Sequence, residues 1–265
     1  ARIEMLTSWG LLKDAWQTIL NENPFPAICG RVCFHPCQSV CNRAHMDESI
    51  AIHHLERFLG DSAISAGRKA DLKMKPANGK KVAIAGAGPA GLAAAYFLTR
   101  LGYGCDVFEA RSEPGGLLRW GIPAYRLPRD ILNEEINRVK DLGVTIHCQT
   151  PVTENLLEKI RNEYNALFIA CGYERSISLK IQGAELTYDG LEFLRKLDPT
   201  QKSPFCGTAA IVGGGNTAID VARSLARLGV TPLIAYRRRV VDMPAFKPEI
   251  EMAVKEGAKI MELVA

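Results

Sequence analysis

The chain has 265 residues, enough for one or two packed domains, and 47% of them are apolar and 23% charged, as in an ordinary globular protein. The net charge of +4, without a long basic run, excludes a strongly basic nucleic-acid-binding protein. No uninterrupted apolar stretch reaches the roughly 20 residues of a membrane-spanning helix, and the first residues lack the basic start and apolar core of a secretory signal. We therefore expect a cytoplasmic protein without a membrane span.

Residues 1–75 are predicted to form a helical domain. Apolar residues recur at the spacing of one helix face from Leu11 to Leu20, and a second helical pattern runs from Ile50 to Leu59. The prolines of Asn23-Pro24-Phe25-Pro26 end the first of these helices. Residues 70–80 are polar and rich in turn-forming residues, which predicts a linker.

Four evenly spaced cysteines lie between the two helical patterns: Cys29, Cys33, Cys37 and Cys41. Gly30 and Pro36 argue against one continuous helix that buries a stripe of cysteines. Zinc sites usually place their cysteines in two separated pairs, so zinc is the second alternative. Four soft thiolates suit iron and sulfide, and four cysteines hold a [4Fe–4S] cluster. An iron–sulfur cluster is thus the leading interpretation, ahead of zinc and of buried structural cysteines.

The first glycine motif follows a short apolar strand, Lys81–Ala85, and opens a helix. Gly86, Gly88 and Gly91 fit G-x-G-x-x-G in the strand-to-helix context that gives the pattern its meaning. The first glycine makes the turn, the second lets a pyrophosphate approach the backbone, and the third lets helix and strand pack closely. The helix N-terminus supplies N–H donors. Glu109, at the end of the next apolar run, is expected to accept hydrogen bonds from an adenosine ribose.

Strands and helices are predicted to alternate after this motif. Arg129–Leu142 reads as a helix, Val144–Cys148 as a strand and Leu156–Arg161 as a short helix. Ala166–Gly172 is predicted to be a buried strand that ends in a glycine turn, whereas residues 111–123 are too irregular for a strand. This alternation predicts a mostly parallel sheet.

A second glycine motif, with Gly213, Gly215 and Ala218, follows the apolar run Ala209–Val212 and opens a helix that ends at Gly229. Two such units in one chain predict two bound dinucleotides.

The two units differ where the acidic residue should stand. The second unit has Tyr236 at the position of Glu109, and the residues that follow are Arg237, Arg238 and Arg239. A carboxylate would repel a 2′-phosphate, whereas guanidinium groups can bind it bidentately. The second site is therefore predicted to prefer NADPH over NADH. A solvated basic strand end or a partner surface is the alternative interpretation.

These passages resemble the small (beta) subunit of glutamate synthase and its stand-alone relatives, which share a module with dihydropyrimidine dehydrogenase. The passages that carry the resemblance are Asn23–Cys33 with Cys37 and Cys41, the first glycine motif, Gly115–Pro123 with Arg126–Pro128, and Gly213–Asp220 with Tyr236–Arg238 and Met243–Ala245. They extend over nearly the whole chain.

The resemblance implies an α/β protein in which an all-helical iron–sulfur domain (1–75) precedes tandem Rossmann-like domains for FAD (76–205, first part) and NADPH (206–265, incomplete). By the same resemblance, the residues that would contact FAD are Gly86, Gly88, Pro89, Ala90, Gly91, Glu109, Gly116, Leu117, Cys171 and Gly172. The residues that would hold NADPH are Gly213, Gly214, Gly215, Asn216, Thr217, Arg237 and Arg238. The cluster ligands would be Cys29, Cys33, Cys37 and Cys41.

Two departures from the family accompany this resemblance. The family usually has further cysteines upstream of the position matching Ala1, which feed a second cluster. It also has a segment after the NADPH domain that completes the FAD domain. We therefore expect that the chain is a fragment or that another chain supplies the remainder.

The leading functional hypothesis is an electron-transfer oxidoreductase that passes electrons, in either direction, between NADPH, FAD, a [4Fe–4S] cluster and a protein partner such as a glutamate synthase large subunit. No catalytic side chain is predicted, because hydride transfer to a flavin requires no protein acid or base and the cofactors carry the chemistry. The competing hypothesis is a non-enzymatic docking or assembly subunit. A flavin disulfide reductase would need a C-x-x-C or C-x4-C pair after residue 80, and the sequence has none there.

Overall fold

The structure, a computed structural model, describes residues 2–173, 183–197 and 205–264. The chain divides into two compact units. The first comprises Ala1–Arg119 and Ala124–Tyr173, and the second comprises Trp120–Pro123 and Glu174–Ala265. In the described part of the chain, no helix is long and apolar enough to cross a membrane.

The first unit begins with short helices that enclose a small core of their own. These helices are α1 (Arg2–Ser8), α2 (Leu12–Ile19), α3 (Pro26–Val32), α4 (Pro36–Ser39) and α5 (Ile52–Ser65). Trp16, Leu20 and Leu59 are almost fully buried in the core that α1, α2 and α5 enclose. The two predicted helices are confirmed as α2 and α5, and no helix or strand interrupts the predicted linker over 70–80.

A four-stranded parallel sheet forms the rest of the first unit. Its elements are β1 (Lys81–Ala85), α6 (Pro89–Arg100), β2 (Gly104–Phe108), α7 (Leu117–Trp120), α8 (Arg129–Lys140), β3 (Thr145–His147), α9 (Glu154–Glu163) and β4 (Ala166–Ile169). The strand order is β3-β2-β1-β4. The predicted alternation of strands and helices in a parallel sheet is therefore confirmed.

One prediction for this sheet was wrong. The strand β4 was expected to be buried, yet Phe168 and Ile169 are 41% and 73% exposed. The reason is the position of β4 in the strand order, because among the described residues it pairs with β1 alone and forms the outer edge of the sheet. The apolar composition of β4 indicates a strand without indicating which neighbours cover it.

The second unit contains a three-stranded parallel sheet in the order β5-β6-β7. Its elements are α10 (Gly190–Lys196), β5 (Thr208–Val212), α11 (Asn216–Arg227), β6 (Thr231–Tyr236), α12 (Lys247–Lys255) and β7 (Lys259–Glu262). Ile219, Ile234 and Ala253 are completely buried in its core. Arg223 joins α11 to α12 through hydrogen bonds of 3.0 and 2.7 Å to the two carboxylate oxygens of Glu256.

Candidate functional site

Three loops of the first unit start side by side at one edge of the sheet. Ala85, at the end of β1, is in register with Phe108 and Ile169, the last residues of β2 and β4. Gly86 follows β1 with φ +107°, and a Cβ there would lie only 2.4 Å from the carbonyl oxygen of Ala170. Glycine is therefore required at this position both by the backbone angle and by the neighbouring chain.

The glycine turn passes directly into the N-terminus of α6. A Cβ on Gly91 would lie 2.0 Å from the carbonyl oxygen of Gly86, so helix and turn touch through glycine alone. Gly88 is the N-cap, and the atom nearest to an added Cβ there is Gly116 Cα at 3.9 Å. Pro89 and Ala90 form the exposed first turn of the helix. This open backbone beside a helix N-terminus fits the pyrophosphate of a dinucleotide.

Glu109 lies at the end of β2 and is only 7% exposed. Its Oε2 accepts a hydrogen bond from the Ala87 N–H at 2.8 Å, and its Oε1 accepts one from the Arg111 N–H at 2.9 Å. Each carboxylate oxygen has two lone pairs, so both oxygens can also accept a ribose hydroxyl. The carboxylate thus holds the glycine turn and retains the capacity expected of a ribose ligand.

The loop before α7 packs against this turn. The Gly115 N–H donates to the Ala87 carbonyl at 2.8 Å, and a Cβ on Gly116 would lie 2.8 Å from Gly88 Cα. Leu117, the first residue of α7, is partly exposed beside them. Gly116 therefore lies against Gly88 of the first glycine motif, and Leu117 follows it in the chain.

Arg119 holds this loop in place, and the sequence analysis did not single it out. Its buried guanidinium donates from Nε to the Pro114 carbonyl at 2.7 Å and also bonds the side chain of Asn133. It further pairs with Glu113 at 3.3 Å. A charged residue among the apolar residues of the short helix α7 was the available signal.

Cys171 and Gly172 follow β4 at the same edge of the sheet. The Cys171 thiol lies 3.7 Å from the Ala85 carbonyl oxygen, and Gly172 has φ +71°. A Cβ on Gly86 would approach Cys171 Cα to 3.3 Å. The residues predicted to contact FAD therefore lie near the carboxyl ends of β1, β2 and β4.

The second glycine turn joins β5 to α11. Gly213 has φ +131°, and a Cβ on Gly214 would lie 2.6 Å from the ring of Tyr236. Gly215 is the N-cap of α11, and a Cβ added there would meet no atom within 4 Å. Gly214 is thus required for packing, whereas Gly215 leaves space where a ligand can approach the backbone.

Asn216 and Thr217 open α11 beside this space. The Asn216 Oδ1 accepts a hydrogen bond from the Phe246 N–H at 3.0 Å, and the Gly214 carbonyl accepts one from the Ala245 N–H at 3.1 Å. Thr217 is exposed. The Asn216 side chain therefore orients a neighbouring loop, a role that its motif position did not predict.

Arg237 and Arg238 follow β6 directly, and both are exposed. Val212 pairs with Ala235, so β6 ends at the same sheet edge as the second glycine turn. Tyr236 occupies the position expected for an acidic residue, and its hydroxyl donates to the Asp242 carbonyl at 2.9 Å. Arg237 and Arg238 thus follow the same end of the sheet as the second glycine turn.

The cysteine segment consists of two short helices separated by a break. Cys29 lies in α3, Cys33 is the C-cap of α3, Cys37 lies in α4 and Cys41 precedes a single 3₁₀ turn. His35 has φ +42°, which prevents one continuous helix, as Gly30 and Pro36 had indicated.

The four thiols are not gathered into one ligand set. Among the described residues, no group of three or more His, Cys, Asp and Glu side chains could hold a metal ion. Cys29 Sγ instead lies 3.6 Å from Asn23 Oδ1, and Cys33 Sγ accepts a hydrogen bond from the His35 N–H at 3.3 Å. By their chemistry, however, four cysteine thiolates are the ligands that hold a [4Fe–4S] cluster.

The cysteines differ in their electrostatic surroundings. Burial, reinforced by the carboxylates of Glu56 and Glu135, raises the pKa of Cys29 to about 12. Hydrogen bonds from the backbone, chiefly from Ile50, lower the pKa of the partly buried Cys41. Because a metal binds the thiolate, the raised pKa of Cys29 opposes metal binding by this residue.

The first unit also contains a buried carboxylate that the sequence analysis missed. Glu135 lies on the buried face of α8 with Leu132, Ile136 and Val139, and it is 0% exposed. A charged residue in an apolar helical stripe was the signal that could have revealed it.

The fold and the two glycine turns define a class of protein with two Rossmann-like dinucleotide units that follow a helical, cysteine-containing segment. The chain belongs to the pyridine nucleotide-disulphide oxidoreductase family, whose model matches residues 80–261. Residues 4–68 match the model of dihydropyrimidine dehydrogenase domain II, which holds a 4Fe–4S cluster. These matches confirm the expected resemblance and the expected cofactors, namely FAD, a nicotinamide dinucleotide and a [4Fe–4S] cluster.

Two relatives illustrate this membership. The NADP(+)-dependent formate dehydrogenase subunit beta of Moorella thermoacetica is 39% identical over an alignment of 276 positions, which covers 94% of this chain and 39% of that protein. The NAD-dependent dihydropyrimidine dehydrogenase subunit PreT of Escherichia coli is 37% identical over an alignment of 257 positions, which covers 94% of this chain and 62% of that protein. The chain thus spans only 39% and 62% of the length of these two relatives.

The similar solved structure is a 2-naphthoyl-CoA reductase in complex with 2-naphthoyl-CoA. It has a TM-score of 0.58 and 22% identity, and it covers 72% of this chain and 29% of that one. At this level of identity the likeness shows the fold alone.

Proposed function

We propose that this chain belongs to a flavin- and iron–sulfur-dependent oxidoreductase that exchanges electrons between NADPH and a partner protein. The convergence of Gly88, Glu109 and Gly116 at the N-terminus of α6 carries this proposal, because it leaves open backbone beside a ribose-binding carboxylate. Bound FAD would convert the two-electron hydride chemistry of NADPH into single-electron transfer to the cluster. The proposed domains are 1–75 for the cluster, 76–205 for FAD and 206–265 for NADPH.

The first glycine turn would bind FAD. In this proposal Gly86 and Gly91 shape the turn, Gly88 admits the pyrophosphate and Glu109 accepts the ribose hydroxyls. The remaining proposed FAD contacts are Pro89, Ala90, Gly116, Leu117, Cys171 and Gly172. Their position near the carboxyl ends of β1, β2 and β4 supports the proposal, since ligands of such sheets bind beyond these ends.

The second glycine turn would bind NADPH. Gly213, Gly214 and Gly215 would admit its pyrophosphate, and Asn216 and Thr217 would present the helix N-terminus. We assign the 2′-phosphate to Arg237 and Arg238, because exposed guanidinium groups follow β6 where a carboxylate would select NADH. The relatives' names include both NADP-dependent and NAD-dependent proteins, so this preference is a specific claim about the chain.

The cysteine segment would hold the cluster through Cys29, Cys33, Cys37 and Cys41. The two relatives are named as subunits, which supports a partner protein that receives or supplies the electrons. A glutamate synthase large subunit is one candidate for that partner. All eight cysteines are free, which is consistent with the reducing conditions of the cytoplasm.

An anaerobic absorption spectrum of the purified protein, recorded before and after addition of NADPH, tests this function. The expected result is flavin and iron–sulfur bands that bleach with NADPH and less readily with NADH. A cluster spectrum without flavin, indifferent to either nucleotide, would contradict the proposal and favour the docking or assembly subunit.

A further inference from the structure

The nine residues before Cys29 are held by α6, which begins at the first glycine turn, and by α8. We call residues 20–28 the anchored segment, because side chains from α6 and α8 bond its backbone at several points. This segment connects the end of α2 to the first turn of α3, and Cys29 follows it directly. These bonds therefore hold the backbone that leads into Cys29.

Glu135 makes the most buried of these contacts. Its Oε1 and Oε2 each accept a hydrogen bond of 3.0 Å, from the N–H groups of Ala27 and Ile28 respectively. Both donors lie in the first turn of α3, where backbone N–H groups have no intrahelical partner. A carboxylate from another helix thus caps α3 and also meets the positive end of its dipole.

Arg138 completes the contact from the next turn of α8. Its Nη1 donates to the Pro24 carbonyl at 2.9 Å and to Glu135 Oε1 at 3.3 Å, and the guanidinium lies 5.3 Å from the centre of the Trp16 ring. Burial raises the pKa of Glu135, and Arg138 together with the two backbone donors opposes this shift. Both carboxylate oxygens accept N–H bonds, an arrangement that matches the ionised form.

The helix α6 holds the other end of the anchored segment. The Tyr96 hydroxyl donates to the Leu20 carbonyl at 2.7 Å, and Arg100 donates to the Leu20 and Asn21 carbonyls at 3.2 and 3.4 Å. The helix α6 has 12 residues and starts at the glycine turn, so it extends about 18 Å from that turn and carries both contact residues.

We propose that Glu135, assisted by Arg138, is a positioning residue that fixes Cys29 relative to the first glycine turn by capping α3 from α8. Within the proposed function, which this inference extends, Cys29 is a cluster ligand and the glycine turn holds FAD. With both cofactors bound, the hydrogen bonds to the anchored segment would keep Cys29 at a constant distance from the glycine turn. They would also slow the loss of iron, because they hold the helix end that carries Cys29.

The test compares Glu135→Gln with Glu134→Gln in the protein purified anaerobically with its cofactors. Glu134 is the matched control, since it is an exposed neighbour on the same helix and undergoes the same chemical change. Three quantities are measured: hydrogen exchange of peptides that cover residues 20–33, the rate at which a chelator removes iron, and the electron paramagnetic resonance spectrum of the dithionite-reduced cluster.

Glu135→Gln should speed amide exchange in the first turn of α3 about tenfold, because one charge-assisted bond is lost and the other weakens. It should also speed iron release severalfold and alter the resonance spectrum, at unchanged flavin content, whereas Glu134→Gln should match the wild type. Unchanged exchange would overturn the proposal. Faster exchange with unchanged iron release and spectrum would also overturn it, because Glu135 would then support the helix only.

A second variant covers the case in which Glu135→Gln fails to fold. Arg138→Gln removes the charge that bonds Glu135 and the Pro24 carbonyl, and it should speed both exchange in residues 20–28 and iron release. No change in either quantity would overturn the proposal. The proposed function is judged separately on the wild type. A cluster that binds stably but is not reduced in the presence of NADPH would contradict that function without affecting these comparisons.

Discussion

The Glu109 carboxylate and the Ala87 N–H form a 2.8 Å hydrogen bond that joins the end of β2 to the glycine turn after β1. The same carboxylate accepts a hydrogen bond from the Arg111 N–H at 2.9 Å, so it holds both the turn after β1 and the loop after β2. A residue proposed to bind a ribose is therefore also part of the turn that would hold the pyrophosphate. Ligand binding and loop geometry depend here on one buried side chain.

Glu109→Ala should weaken FAD binding about 10- to 100-fold. The change removes an acceptor for the ribose and leaves the Ala87 N–H without its carboxylate, and hydrogen bonds to charged groups contribute about 1.5–3 kcal/mol. FAD content after purification and fluorescence titration of the flavin-free protein measure the effect. Glu158→Ala, on the exposed face of α9, is the control. Unchanged FAD affinity would refute the assignment of Glu109.

Gly215→Ala should impair NADPH binding without destabilising the protein. A Cβ at this position meets no atom within 4 Å, and its φ of −87° suits alanine. The methyl group would occupy the space reserved for the pyrophosphate, so we expect KM for NADPH to rise about tenfold or more, a loss of roughly 1.4 kcal/mol. Thermal unfolding should remain close to that of the wild type.

Gly91→Ala is the contrasting variant. Its Cβ would lie 2.0 Å from the Gly86 carbonyl oxygen, so the substitution should destabilise the first unit by about 1–3 kcal/mol or more. If both glycine variants lost stability equally, the open space at Gly215 would not be a ligand site.

Arg237→Glu should erode the preference for NADPH. An exposed guanidinium that binds a 2′-phosphate contributes a charge-assisted bond, so its reversal should lower the ratio of kcat/KM for NADPH to that for NADH at least about tenfold. Arg161→Glu makes the same charge change on the exposed side of α9 and should leave the ratio unaltered. Equal ratios in both variants would favour the alternative of a merely solvated basic strand end.

Cys33→Ala should abolish binding of the cluster. Each ligand of a four-cysteine cluster supplies one thiolate bond, and alanine offers none. Iron and acid-labile sulfide, measured per polypeptide, should fall close to zero. Cys206→Ala, which changes an exposed cysteine outside the segment, should retain both. Iron content that survives in Cys33→Ala would contradict the ligand assignment.

The backbone parts of the account were predictable from the sequence. Gly86 and Gly91 were predictable because they belong to a glycine motif between an apolar strand and a helix. The structure shows why glycine is needed there, since a Cβ at either position would lie within 2.4 Å of a carbonyl oxygen. Gly30 and Pro36 correctly indicated a broken helix around the cysteines. These features depend on residues that are close in sequence.

Predictions of features that depend on residues distant in the sequence were either absent or wrong. The exposure of β4 follows from the strand order and not from its own composition. Glu135 contacts Ala27 across more than a hundred residues, and Arg119 is buried by a loop whose path no local pattern specifies. Tertiary contacts of this kind are set by the assembled fold, so the sequence predicted the glycine turns and Glu109 but not Glu135 or Arg119.

The most direct test of the central claim is electron paramagnetic resonance of the anaerobic protein after mixing with NADPH, with dithionite as the positive control. The account predicts that NADPH produces the signal of the reduced [4Fe–4S] cluster, that NADH produces less of it, and that flavin-depleted Glu109→Ala protein produces little. A cluster that dithionite reduces but NADPH leaves silent, in protein that retains its flavin, would contradict the account.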